Sequence, residues 1–290
     1  VVMQENVAAD GATIRLTAEP SPAKGRHVRH KGGDFAQGSV GLSAGSLLNA
    51  AALGEAVIAG YGELSVGQQP RVAVVSTGDE LVAPGSATLP HQIPASNDVM
   101  LSAMLAGLTA ETRSLSGIPD DLDILCQRLE SAGDCDIIVT IGGASVGDHD
   151  LVGPAFRKLG AEIDFYKIAM KPGKPVMAGK LGSTVILALP GNPASAFVAA
   201  ILLLLPLVRY MAGAARYLPE YQSVPTTETL PANGPRAQFL RAKVDQSGIT
   251  PFGSQDSAKL SVLAASNALL YRPVHADAAD AGEMVPYIAI

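Results

Sequence analysis

A chain of 290 residues has room for two or three domains with substantial cores. Its 21 Lys and Arg against 27 Asp and Glu give a net charge of −6, which argues against a general nucleic-acid-binding surface and makes any anion site a local feature. Two cysteines, Cys126 and Cys135, lack metal-ligand spacing and a disulfide framework, so they read as structural residues of a reducing, cytoplasmic environment.

With 48% hydrophobic residues, few aromatics and no Trp, the core is expected to be Ala, Val, Leu and Ile, as in layered α/β folds. No signal peptide is recognisable, and a start at Val1 suggests a trimmed N-terminus. The most apolar run, residues 196–208, is too short to span a bilayer and is interrupted by Pro206, so it predicts a buried helix and no membrane anchor.

Residues 1–38 read as the remnant of a small β domain, with strand character at 1–3, 12–18 and 27–29 between Pro and Gly punctuation. The basic run 24–31 has the composition of a solvated edge, with Asp34 just beyond it. Residues 39–69 form a helical linker, because apolar residues from Leu47 to Ile58 have helical spacing and Gly60 follows.

A new domain, 70–214, opens with a short apolar strand at 72–75 that empties into Ser76-Thr77-Gly78-Asp79-Glu80. Ser96-Asn97-Asp98 is expected to cap a helix over 99–108, followed by a strand over 111–115, the acidic turn Asp120-Asp121 and a helix over 121–133. The central stretch is DIIVTIGGASVGDHD, residues 136–150. Ile137, Ile138, Val139 and Ile141 are the β-branched run of a strand covered on both faces. Gly142, Gly143 and Gly147 allow close backbone approach to a ligand, Ser145 adds a hydroxyl, and Asp148 and Asp150 add carboxylates.

A helix over 151–159 follows, capped by Asp148 or Asp150. Between 157 and 180 six basic residues fall in 24, including Lys167, Lys171 and Lys174, and the run Lys-Pro-Gly-Lys-Pro stiffens the loop that carries two of them. A strand at 185–189 enters Pro190-Gly191-Asn192-Pro193-Ala194-Ser195, a rigid turn that opens onto a helix N-terminus, a favourable place for an anion. Residues 215–290 predict a small C-terminal β barrel with turns at Asn233-Gly234, Gly248 and Gly253, and with Leu260, Val262, Leu263, Leu269, Leu270 and Tyr271 in its core. Arg241 and Ser257 taken alone read as surface residues.

The predicted fold is therefore α/β, a doubly wound and mostly parallel sheet with polar loops at the carboxyl ends of its strands. Those loops carry Asp79, Glu80, Asp120, Asp121, Asp148 and Asp150 opposite Lys167, Lys171 and Lys174. Carboxylates without His or Cys partners suit Mg²⁺, glycine loops suit phosphate oxygens, and lysines suit tetrahedral oxyanions, so the set points to chemistry on a phosphoanhydride. The five histidines are scattered, and His149 reads as a solvated loop residue.

Taken in order, STGDEL, the Ser-Asn-Asp helix start, GGASVGDHD, KIAMKPGKP and LPGNPAS resemble the molybdopterin molybdenumtransferase family, MoeA type, which includes the E domains of plant and animal homologues. The resemblance implies an enzyme that inserts molybdate into adenylated molybdopterin with release of AMP. It implies Mg²⁺ held by Asp79, Glu80 and Asp150, and catalytic roles for Asp79, Glu80, Asp121, Asp150, Lys167 and Lys171. Substrate contacts would come from Asn97, Gly142, Gly143, Ser145, Gly147, Lys174, Pro190, Gly191, Asn192, Pro193, Ser195, Arg241 and Ser257. Asp34 would reach the cleft from the small β domain across a homodimer, and an upstream adenylyltransferase would be a partner. The family carries a further segment of a hundred or more residues ahead of this chain, and GSQDSAKLS departs from its usual Gly-His-Gln. Two other readings are an adenylyltransferase of the same fold, disfavoured because its glycine loop reads Gly-Gly-Thr-Gly, and a scaffold that has no catalysis, disfavoured by the retained acids and lysines.

Overall fold

The computed structural model describes residues 1–19, 23–143 and 151–290. They divide into two compact units, Val1–Leu64 and Ser65–Ile290. In the first, a short hairpin pairs β1 (Val7–Asp10) with β2 (Thr13–Leu16). Helix α1 (Ala50–Ile58) starts where the Asn49 side chain accepts a hydrogen bond from the Ala52 amide at 2.9 Å, a regular N-cap that lies after Leu47, where the apolar spacing begins. Residues 1–3 and 27–29 are not strands. The strand lies after residue 6, where β2 offers a pairing edge, and His27 sits at φ 59° in a turn, a backbone geometry that no strand contains.

The second unit is built on a six-stranded sheet in the order β6-β3-β7-β11-β10-β8. Its strands are β3 (Arg71–Thr77), β6 (Glu111–Ile118), β7 (Ile137–Ile141), β8 (Glu162–Tyr166), β10 (Met177–Leu181) and β11 (Thr184–Leu189). Two-residue strands β4 (Leu81–Val82) and β5 (Ile93–Pro94) pair beside it, and β9 (Met170–Lys171) leaves it. β6, β3, β7 and β11 are mutually parallel, while β10 runs antiparallel to both of its neighbours. Both faces of this sheet are covered. Val72 and Val74 point to the face carrying α2 (Ser96–Leu105), whereas Ala73 and Val75 point to the face carrying α3 (Leu122–Ser131) and α4 (Val152–Lys158).

Ser96, Asn97 and Asp98 are the first turn of α2 and do not act as its caps. Tertiary partners take their side chains instead: Asn97 bonds the Gly191 carbonyl, and Asp98 accepts from Ser76. Asp121 does cap α3, its Oδ1 accepting from the Asp123 and Ile124 amides at 2.9 Å each. The proposed capping of α4 by Asp148 or Asp150 lies outside the described residues.

Pro206 does not break the apolar helix. α5 (Pro193–Ala199) runs through a π-helical turn, Ala200–Leu204, into α6 (Leu205–Met211) as one 19-residue rod. The wider π turn lets the Leu205 amide reach the Ala200 carbonyl just ahead of Pro206, which has no N–H to place. The rod is long and apolar enough to cross a bilayer by length and composition. Here it packs in the core, with Ala196, Val198, Ala199, Leu204 and Val208 buried against the sheet.

Strands β12 (Gln222–Pro225), β13 (Ala237–Asp245), β14 (Gly248–Pro251), β15 (Ala268–Arg272) and β16 (Met284–Ala289) form a second sheet in the order β12-β16-β15-β13-β14. A Thr226–Ile249 bridge joins its two outer ends, so the sheet curls back on itself. It contains a helix the strand pattern hid, α7 (Leu260–Ala265), which leaves Leu260 37% exposed while Leu263 is buried. β9 pairs in parallel with β13, Met170 opposite Ala237 and Lys171 opposite Gln238, and this ladder ties the two sheets together.

Candidate functional site

The carboxyl ends of β3, β6, β7 and β11 lie side by side, which brings their loops to one edge of the sheet. The Asp120 amide donates to Asp79 Oδ1 at 3.1 Å, joining the two acidic turns that follow β3 and β6. Asn97 Nδ2 donates to the Gly191 carbonyl at 2.6 Å, and the Gly142 amide donates to the Leu189 carbonyl at 3.2 Å. Gly142 is closely hemmed by backbone. At φ +87° an added Cβ would sit 3.2 Å from the Thr77 carbonyl, and Gly191 approaches so closely that its own Cβ would lie 3.4 Å from the Gly142 Cα.

Beneath this edge Asp98 is 6% exposed, bonded by Ser76 and Ser116, with Oδ2 unpartnered. Burial pushes its carboxyl above the ordinary range, against the pull of the two hydroxyls. Asn97 Oδ1 is a second buried acceptor with no partner. Sequence reading singled out Asn97 as a contact but treated Asp98 only as a helix cap.

The lysines occupy a separate wall. Lys171, Pro172, Gly173, Lys174 and Pro175 line a cavity of about 230 Å³ together with Ser195 from α5 and with Arg236, Gln255 and Ser257 from the C-terminal sheet region. Gly173, at φ +97°, lets the loop fold over the Met170 side chain, whose Cε would lie 2.6 Å from an added Cβ. The Ala194 amide donates to the Ser257 carbonyl at 3.1 Å, holding the helix start and the Ser257 loop together. Gln255 latches that loop to β13: its Oε1 accepts from the Arg241 amide at 3.0 Å, and its Nε2 donates to the Arg241 and Phe252 carbonyls at 3.0 and 2.7 Å.

Arg241 is not a surface residue. It is fully buried on β13, and its Nε, Nη1 and Nη2 have no hydrogen-bond partner. Burial pulls its guanidinium below the usual arginine range, offset by the charge of Asp256. Burying a cation without a hydrogen-bonded partner is costly.

Lys167 does not line the cavity. It sits at φ +75°, an uncommon conformation for a lysine, with its amide on the Val176 carbonyl and its Nζ 4.7 Å from the Tyr166 ring centroid. The turn Pro190-Gly191-Asn192-Pro193 spans the two walls, since Gly191 touches the acidic edge and Ser195 lines the lysine cavity. Asp34 is exposed on the first unit. Ser145, Gly147 and Asp150 lie outside the described residues. Among the described residues no three His, Cys, Asp or Glu side chains gather as a metal set. Arg236 and Gln255 were missed by sequence reading, because nothing local distinguishes them from ordinary strand-flanking polar residues.

Residues 73–210 match the family model described as a probable molybdopterin binding domain, and residues 223–290 match the MoeA C-terminal region, domain IV. Molybdopterin molybdenumtransferase 2 of Mycobacterium tuberculosis is 35% identical over 274 residues, covering 92% of this chain and 68% of its own. The molybdopterin molybdenumtransferase of a Nostoc strain is 32% identical over 284 residues, covering 94% and 65%. The crystal structure of a molybdopterin biosynthesis moeA protein from Pyrococcus horikoshii superposes at TM-score 0.78 and 25% identity, over 100% of this chain and 71% of that one. The chain thus spans about two thirds of the length of these relatives, and it belongs to the molybdopterin molybdenumtransferase family of enzymes.

Proposed function

We propose that this chain inserts molybdate into adenylated molybdopterin, with hydrolysis of the adenylate and release of AMP, to complete molybdenum cofactor. The observation that carries the reading is the cavity lined by Lys171, Lys174, Arg236, Ser195 and Ser257, into which no carboxylate projects among its lining residues. Cations and hydroxyls around one hollow suit a tetrahedral oxyanion, and the nearby buried Arg241 supplies further positive charge. The turn 190–195 connects this cavity to an edge whose glycines and Asn97 suit a phosphorylated, adenylated pterin.

In this reading Lys171 and Lys174 hold molybdate, and Lys167 steadies the pterin phosphate. Gly142, Gly143, Ser145, Gly147 and the 190–195 turn cradle the rest of the substrate. Asp79, Glu80, Asp121 and Asp150 face the phosphoanhydride. Their donors are all oxygen, which fits Mg²⁺: Asp79, Glu80 and Asp150 would hold it, and the ion would neutralise charge on the leaving phosphate. Asp121 already spends Oδ1 on capping α3, so it acts through its other oxygen or by holding the turn. A cytoplasmic homodimer, Asp34 reaching the cleft across it, and supply of the adenylate by an adenylyltransferase complete the proposal.

Glu80→Gln and Lys171→Ala test it. Both residues are exposed, so each variant keeps its melting temperature while molybdate-dependent AMP release falls by about 10²-fold or more. Turnover at the wild-type rate in either variant removes that residue from the site.

A further inference from the structure

We infer that Asp98 is a positioning residue for the proposed reaction: acting through Asn97, it sets the Gly191 turn against the acidic edge, so that the two walls meet in one geometry. This rests on reading the two walls as one site.

The start of α2 is anchored from outside the helix. Its N-cap, Ala95, has no side-chain acceptor for the first-turn amides. The anchor is Asp98, 6% exposed, which accepts from Ser76 of β3 and from Ser116 of β6, two strands on which α2 packs. One side chain therefore joins the helix start to both strands, just ahead of the turns that carry Asp79 and Asp120. An apolar side chain of similar volume would be buried at lower cost, but it could not hold two hydroxyls in a fixed direction.

Asn97 carries this placement across to the other wall. Consecutive residues of a helix point about 100° apart, so Asp98 can face the strands while Asn97 faces the turn. Asn97 Nδ2 donates to the Gly191 carbonyl at 2.6 Å, and Gly191 has little room to shift, since its added Cβ would lie 3.4 Å from the Gly142 Cα. Beyond the turn the Ala196 amide donates to the Asn192 carbonyl at 2.9 Å and the Ala194 amide to the Ser257 carbonyl at 3.1 Å; Ser195, between them, lines the lysine cavity. Bonded contacts thus lead from the ends of β3 and β6 through Asp98 and Asn97 to the lysine wall. Truncating Asp98 strips both hydroxyls of their acceptor and frees the helix start, and a displacement of about 1 Å at a reacting centre can cost about 10²-fold in rate.

The test is a double-mutant cycle on the full chain. Molybdate-dependent AMP release from adenylated molybdopterin with Mg²⁺ is measured for wild type, Asp98→Ala, Asp98→Asn, Asn97→Ala and the double variant Asn97→Ala with Asp98→Ala, with melting temperatures as the folding control. The expected result is that Asp98→Ala lowers turnover by about 10- to 100-fold, and that Asp98→Asn, which keeps the shape and an acceptor for the hydroxyls, stays within about threefold of wild type. Because Asp98 acts through Asn97, Asp98→Ala is expected to change turnover by less than about twofold in the Asn97→Ala background. Ser76→Ala, a milder cut at the same anchor, is expected to show a smaller loss that also vanishes in that background, which decides the matter if Asp98→Ala does not fold. Wild-type turnover in Asp98→Ala, or an equal loss in both backgrounds, overturns the inference while leaving the function standing. No molybdate-dependent release by the wild-type chain overturns the reading of the two walls and the inference with it.

Discussion

At the scale of single residues, the interior of the sheet edge is set by groups whose burial costs free energy. Burial raises the Asp98 carboxyl above the ordinary carboxylate range, so the folded chain keeps this proton at pH values where the unfolded chain has lost it. The stability associated with Asp98 is therefore complete below the unfolded value and declines as pH rises through the folded one. Asp98→Asn removes that decline while keeping an acceptor for Ser76. The variant is expected to melt higher than wild type at pH 7 and at the same temperature near pH 3.5; equal melting at both values contradicts the assignment. Gly142→Ala acts through the backbone: positive φ and the Thr77 carbonyl at 3.2 Å predict a loss of about 1–3 kcal/mol in denaturant unfolding, where an unchanged midpoint would show that the loop relaxes. Some of these residues were legible in the sequence and others were not. Asp79, Lys171 and Lys174 stand out because charged residues beside Gly and Pro in strand-end loops have few structural uses. Arg241 read as surface because an arginine on an alternating strand ordinarily is, and its burial comes with tertiary neighbours that no local pattern encodes, Leu269 opposite it on β15 and the loop that Gln255 latches to its main chain.

At the scale of elements, hydrophobic period told strands from helices where burial was complete. The run Ile137, Ile138, Val139, Ile141 became the central strand β7, buried throughout, and the 72–75 run became β3. Both extend as buried strands because parallel neighbours cover each side. β8 and β10 went unseen, since β8 lies at the sheet edge and leaves Phe165 and Tyr166 exposed, giving no apolar signal. The rod 193–211 shows a different limit. Pro206 reads as a break when the helix is taken as strictly α, and the π turn that accommodates it is a tertiary solution. Leu204 lies within that turn, fully buried between sheet and helix. Leu204→Ala is expected to cost about 2–5 kcal/mol by chemical denaturation, and a loss below 1 kcal/mol would mean that the rod packs less tightly than described.

At the scale of the whole molecule, stability is concentrated in the second compact unit. All three hydrophobic clusters lie within residues 65–290, while the first unit buries Ala52 and Ala56 as its hydrophobic residues. Residues 65–290 expressed alone are expected to melt cooperatively within a few degrees of the full chain, and limited proteolysis is expected to cut first among residues 1–64. Loss of a cooperative transition in the shorter protein would show that the first unit is required for the core. This unit also carries both walls of the proposed site, the acidic edge and the lysine cavity, joined by one turn. The central claim is that these two walls serve one reaction. Its most direct test is AMP release from adenylated molybdopterin with Mg²⁺, with and without molybdate, with the Mycobacterium tuberculosis relative assayed in parallel. Release that depends on molybdate, with molybdenum retained on the pterin product, is the predicted result; no release by this chain under conditions where the relative turns over would contradict the account.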